Sequence, residues 1–73
     1  MSEWRKLRER AKIIKKQYPK GTRVRLIRMD DREAPPIGTL GTVVGVDAIG
    51  TVLMLWDNGC TLGVTDADEI EKI

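Results

Sequence analysis

A change in the spacing of apolar residues near Gly21 constrains the fold of this chain more than any other feature. Before it, apolar residues recur every three or four positions, which is the spacing of one helix face: Trp4, Leu7, Ala11, Ile14 and Tyr18. After it, they recur at every second position, which is the spacing of a half-buried strand. The sequence therefore predicts a helix over Ser2–Gln17 followed by a β domain.

Both ends of the predicted helix carry the expected signals. Ser2 is a suitable N-cap and Glu3 lies in the first turn, where a negative charge meets the positive end of the helix dipole. Lys15 and Lys16 lie near the negative end. Pro19 disfavours helical geometry at the residue before it, so the helix is expected to end there.

Five short strands are predicted after the helix, over residues 22–29, 39–46, 51–56, 61–64 and 70–73. Residues 30–38 form a long loop, and residues 47–50 form a turn. Asn58-Gly59 predicts a type I′ hairpin turn, while Gly41 and Gly45 mark bends or bulges. Five strands in so short a segment predict a mainly β fold, a small five-stranded barrel, closed or partly open, with an N-terminal amphipathic α-helix.

A chain of 73 residues has room for one structural domain. Residues 1–20 supply the basic amphipathic helix and a linker, and residues 21–73 supply the barrel. The absence of a signal-peptide pattern and of a long apolar run, together with a single cysteine, predicts a cytoplasmic protein.

Four motifs carry a resemblance to a known family. They are YPKGTRVRL at residues 18–26, MDD at 29–31, PPIGTLGTVVGVD at 35–47 and WDNG at 56–59. Over roughly residues 18–73 the chain resembles the bacterial Domain of Unknown Function family 4314. The resemblance implies an SH3-like barrel, a frequent link to phage or mobile elements, and no established activity or site residues. Leu53 and Leu55 depart from the polar outward residues usual in that family.

Charge is divided unequally along the chain. Residues 1–28 hold eleven Lys or Arg against two Glu, a net charge of +9, and residues 29–73 hold two against nine acids, a net charge of −7. Such a field can steer an anionic partner toward the amino-terminal part. Alternatively, the two halves attract one another and the charges only help to dock the helix on the barrel.

Residue types exclude several kinds of chemistry. The chain has no histidine, its one cysteine is Cys60, and its one serine is Ser2. Neither a Ser-His-Asp nor a Cys-His arrangement is available, nor a zinc site, so we expect no enzymatic activity, no cofactor and no small-molecule substrate. A carboxyl-terminal group of acids is interpreted as a solvated turn and not as a calcium site: Asp66, Asp68, Glu69 and Glu71.

The first functional hypothesis is binding to the phosphate backbone of nucleic acid through a basic helix and strand-one face. Too few aromatic residues accompany the cations for recognition by base stacking. The candidate residues are Arg5, Lys6, Arg8, Arg10, Lys12, Lys15, Lys16, Arg23, Arg25 and Arg28.

The alternative hypothesis is a protein interaction or assembly module. It would use the apolar helix stripe of Trp4, Leu7, Ala11 and Ile14, together with Leu53 and Leu55 on the third strand. Stripe and strand residues can also cover each other within one molecule, and we expect a monomer. A membrane-surface role is disfavoured because the apolar area of the helix is small.

Overall fold

The computed structural model describes residues 2–73, except for the side chains of Ser2 and Trp4. Helix α1, Ser2–Gln17, precedes four antiparallel strands: β1 (Arg23–Arg28), β2 (Leu40–Val46), β3 (Val52–Trp56) and β4 (Glu69–Lys72). The strands form one sheet in the order β3-β2-β1-β4. The protein is therefore mainly β, with one helix packed against an open sheet.

The bounds of α1 match the prediction from apolar spacing. Glu3 lies in its first turn and Lys15 and Lys16 in its last, as the helix dipole favours. The Tyr18 N–H donates to the carbonyl of Ile14 over 2.8 Å and closes the last turn. The predicted cap by Ser2 falls on a side chain outside the described residues. No helix in the described part of the chain is long and apolar enough to cross a membrane.

Buried and exposed residues alternate along β1, β2 and β3, so that one face of the sheet forms the core. Val24 and Leu26 of β1 and Val43 of β2 are fully buried, and on β3 the buried residues are Val52, Met54 and Trp56. Met29 and Val64 complete the cluster, and Ile14 of the helix packs against it. Leu53 and Leu55 lie on the opposite face of β3 and are exposed, as the two-residue period requires.

The predicted fourth strand, residues 61–64, is wrong. Of these residues only Val64 pairs with another strand, through one isolated bridge in which it exchanges two hydrogen bonds of 2.8 Å with Val52. Leu62 directs its carbonyl to Trp56, whose indole Nε1–H donates to it over 2.9 Å. Because that carbonyl serves a side chain, the segment does not form a regular ladder, and the sheet has four strands and not five.

The turn after β3 also differs from the prediction. A type I′ turn needs positive φ at both central residues, and Asn58 does not have it. Gly59, with φ of 89°, donates its N–H to the carbonyl of Trp56, and the Trp56 N–H donates to Cys60. The connection is therefore a three-residue loop that ends in a left-handed glycine, the second most common kind of hairpin.

Candidate functional site

The arginines of β1 are paired with acids of the carboxyl-terminal half. Arg23 binds both carboxylate oxygens of Asp57 over 2.8 Å, and Arg25 contacts Glu71 over 2.9 Å. Arg28 lies 3.6 Å from Asp30 and 3.9 Å from Glu69. The predicted cationic face of strand one is therefore neutralised within the molecule.

The pair between Arg23 and Asp57 is the best formed of these contacts. Hydrogen bonding to Asp57 raises the pKa of Arg23 above its ordinary value, and the same bonds lower the pKa of the Asp57 carboxyl. The guanidinium also donates to the Thr42 hydroxyl over 2.9 Å. Both ionised forms are held by direct bonds, so the two charges offset each other within the molecule.

One helix cation is paired as well. Arg10 contacts Asp66 over 2.8 Å, across a gap of 56 residues in the sequence. An exposed ion pair of this kind adds little stability, so its main effect here is to neutralise Arg10. The sequence offered two interpretations of the charge division, and internal pairing holds for Arg10 and for the three β1 arginines.

The helix rests on the sheet through its apolar stripe. Ala11 is buried, while Leu7, Ile14 and Tyr18 are half-buried. Opposite them lies Gly50, where an added Cβ would stand 3.1 Å from Ile14 Cδ1 and 3.8 Å from Ala11 Cα. The stripe therefore packs within the molecule at Ala11 and Ile14, and the predicted contribution of Trp4 falls on a side chain outside the described residues.

Six other cations of the helix have no internal ion pair in the described part of the chain. All are exposed, and among the residues that the structure describes none lies within ion-pair distance of an acid. They are Arg5, Lys6, Arg8, Lys12, Lys15 and Lys16. Of the ten cations predicted from the sequence, the structure thus leaves these six available to an anionic partner.

A small apolar patch lies on the outer face of the sheet. Leu53 is 41% and Leu55 is 51% exposed, and Val44 beside them is 45% exposed. The sequence did not single out Val44. Val44 faces outward because it alternates with the buried Val43, and a β-bulge between Val43 and Gly45 adds one residue to β2 at this point. The helix stripe does not cover this patch, so the two predicted apolar surfaces are separate.

A cleft of about 360 Å³ separates the helix from the sheet near Ile49 and Val52, and the Arg10–Asp66 pair lies at its rim. Leu7, Ile14 and Ile70 line it with apolar surface. Within residues 2–73 no three side chains of His, Cys, Asp or Glu are grouped so as to hold a metal ion.

Comparison with known proteins identifies a family. No curated protein and no solved structure is similar enough to match. A family model described as Domain of unknown function matches residues 7–73. The match begins inside α1, earlier than the resemblance in the motifs of residues 18–73, so most of the helix is part of the family's domain. The chain belongs to the family Domain of unknown function (DUF4314).

Proposed function

We propose that this chain is a non-enzymatic binding module whose helix binds the phosphate backbone of nucleic acid. The observation that supports the proposal is the set of six exposed helix cations without an acidic partner in the described part of the chain. Lys and Arg on one exposed surface attract phosphates and release their counterions. The β1 arginines, which are already paired, do not take part.

Contacts to the backbone fit this surface better than contacts to bases. Trp56 is only 1% exposed, and the ring of Tyr18 is covered by Lys72, whose Nζ lies 5.1 Å from the ring centre. Among the aromatic side chains that the structure describes, neither ring is free to stack on a base, which is how proteins bind single strands without sequence preference. We therefore propose duplex DNA, bound without sequence preference, as the substrate class.

Salt dependence tests the proposal directly. Each phosphate contact on duplex DNA contributes about −0.9 to the slope of log affinity against log salt. If five of the six helix cations meet phosphates, we expect a slope of about −4.5 for the wild-type protein. Titration of a labelled duplex at several salt concentrations measures it.

The matched control is Arg25→Gln, which removes one cation that is paired with Glu71. We expect this variant to keep the wild-type slope, while Lys12→Gln loses about one unit. Wild-type protein that does not bind duplex at low salt would falsify the proposal. Equal losses in the two variants would contradict the assignment of the contacts to the helix.

The topology supports a finer proposal about the fold. In the order β3-β2-β1-β4, residues 61–64 lie next to β3 and bridge to it at Val64. We interpret this irregular segment as taking the place of a fifth strand in a partly open SH3-like barrel. Small barrels of this kind commonly present their surface to other macromolecules, which agrees with a binding module.

The apolar patch of Val44, Leu53 and Leu55 supports a second candidate function, assembly with another protein chain. We expect Leu53→Lys to abolish any concentration-dependent association that analytical ultracentrifugation detects in the wild type. Ile37→Lys is the control, because Ile37 is 65% exposed and outside the patch. A wild-type protein that remains monomeric at high concentration would count against this function.

A further inference from the structure

A shallow groove runs between the helix and the turn that joins β2 to β3. Its volume is about 200 Å³. Arg8, Lys12 and Lys15 line it from the helix, and residues 46–48 line it from the turn. The buried Ala11 also lines it from the helix. The groove therefore has a cationic wall on the helix side, and it is distinct from the larger cleft beside Arg10.

The three cations share one side of the helix. They occupy positions i, i+4 and i+7, which fall within about 60° of one another at 3.6 residues per turn and extend over about 10 Å at 1.5 Å per residue. Arg5, Lys6 and Lys16 do not line the groove. The six unpaired helix cations thus divide into two sets of equal charge, one in the groove and one outside it.

We infer that this groove is where the protein holds the nucleic-acid backbone, with neighbouring phosphates of one strand against Arg8, Lys12 and Lys15. The inference rests on the proposed function and narrows it from a whole helix to three side chains. In a groove, the cations bind a nucleic-acid strand from the helix side, and the turn restricts the orientation of that strand from the other side. An exposed cationic helix without a second wall would not restrict the orientation of the strand.

One acid lies at the same groove. The Oδ1 atom of Asp47 accepts hydrogen bonds from the backbone N–H groups of Ile49, over 3.0 Å, and Thr51, over 2.9 Å. These bonds hold the turn, but the negative charge remains and repels a phosphate. An asparagine side chain has an oxygen that can accept the same two bonds, so Asp47→Asn removes the charge and keeps the turn.

Two triple variants test which cations hold the strand. Arg8→Gln, Lys12→Gln and Lys15→Gln together are compared with Arg5→Gln, Lys6→Gln and Lys16→Gln together, on the same labelled duplex and over the same salt range. If the groove holds the strand, the first variant loses about 2.7 units of slope, at −0.9 for each of its three contacts, and the second loses at most the remaining 1.8 or so. Circular dichroism confirms that both variants keep the helix.

The Asp47→Asn variant supplies a test in which binding should become tighter and not weaker. Removing one negative charge at a distance of several ångströms from a phosphate is expected to tighten binding about threefold at low salt. The control is Asp31→Asn, because Asp31 likewise accepts a backbone N–H, from Glu33 over 2.8 Å, and does not line the groove. We expect Asp31→Asn to tighten binding by less than half as much.

The outcomes separate the two claims. Wild-type protein without salt-dependent binding to duplex overturns the proposed function, and the groove with it. Binding by the wild type with equal losses in the two triple variants overturns the groove alone and leaves the helix as a diffuse cationic surface. Retention on vesicles of anionic lipid without binding to duplex overturns the choice of nucleic acid.

Discussion

Gly41→Ala is expected to destabilise the protein by about 2 to 3 kcal/mol, in the upper part of the range for overpacking a filled core. A Cβ at this position would lie 2.6 Å from Trp56 Cε3 and 2.9 Å from Met54 Cε. The Trp56 ring is 1% exposed, so it has no open space to enter. A domain of this size is stable by only about 4 to 11 kcal/mol, so the loss is a large fraction of the total.

Gly45→Ala is the matched control for this prediction. Gly45 lies on the same strand, but a Cβ there would meet only Leu53 Cδ1, at 4.0 Å. Urea denaturation of both variants and of the wild type measures the difference. Equal stability of Gly41→Ala and Gly45→Ala would show that the indole does not pack against the β2 backbone in this way.

Periodicity was sufficient to predict the helix and the first three strands. Each of those elements buries one face, so its spacing of apolar residues records its geometry. The role of Gly41 could not be predicted in this way. It was interpreted as a bend or bulge, whereas the bulge lies at Gly45 and Gly41 makes room for Trp56. A close approach between two strands depends on their register, which the local sequence does not specify.

The same limit explains why the prediction of a strand at residues 61–64 was wrong. Residues 61–64 have an apolar pattern that favours a strand, but the indole N–H of Trp56 takes the carbonyl of Leu62. That hydrogen bond joins a side chain to a backbone group six residues away and leaves no periodic signal. Tertiary contacts of this type override strand propensity.

For the candidate site, the sequence revealed which residues are charged and on which element, but not which charges cancel. Arg25 stands opposite Glu71 because β1 pairs with β4, although the two residues are 46 positions apart. That register shows that Arg25 and Arg28 are neutralised, whereas Arg23 is neutralised by Asp57, which follows β3. The helix cations could be predicted more fully, since helical spacing alone places Arg8, Lys12 and Lys15 on one side.

The contact between Gly50 and the helix leads to the remaining prediction, because it lies where α1 meets the turn between β2 and β3. Gly50 has a φ of 91°, in the left-handed region, and its nearest neighbours are Ile14 and Ala11. Alanine at this position would therefore lower the free energy of unfolding for two reasons, the strained backbone conformation and the crowding against the helix. An alanine variant at a second glycine position separates these two contributions.

Gly38 has the same φ of 91°, but a Cβ there would meet nothing within 4 Å. We expect Gly38→Ala to cost about 1 to 2 kcal/mol, the penalty for a left-handed alanine. Gly50→Ala should cost about 1 kcal/mol more, since Ile14 must move by a few tenths of an ångström. Denaturant unfolding measures both variants.

Hydrogen exchange shows where the additional cost of Gly50→Ala arises. A helix of 16 residues is marginal in isolation, so weaker packing on the sheet should lower amide protection in the last turns of α1. We expect Gly38→Ala to leave that protection unchanged relative to the sheet. Equal protection of the helix in the two variants would show that Gly50 does not control the docking of α1.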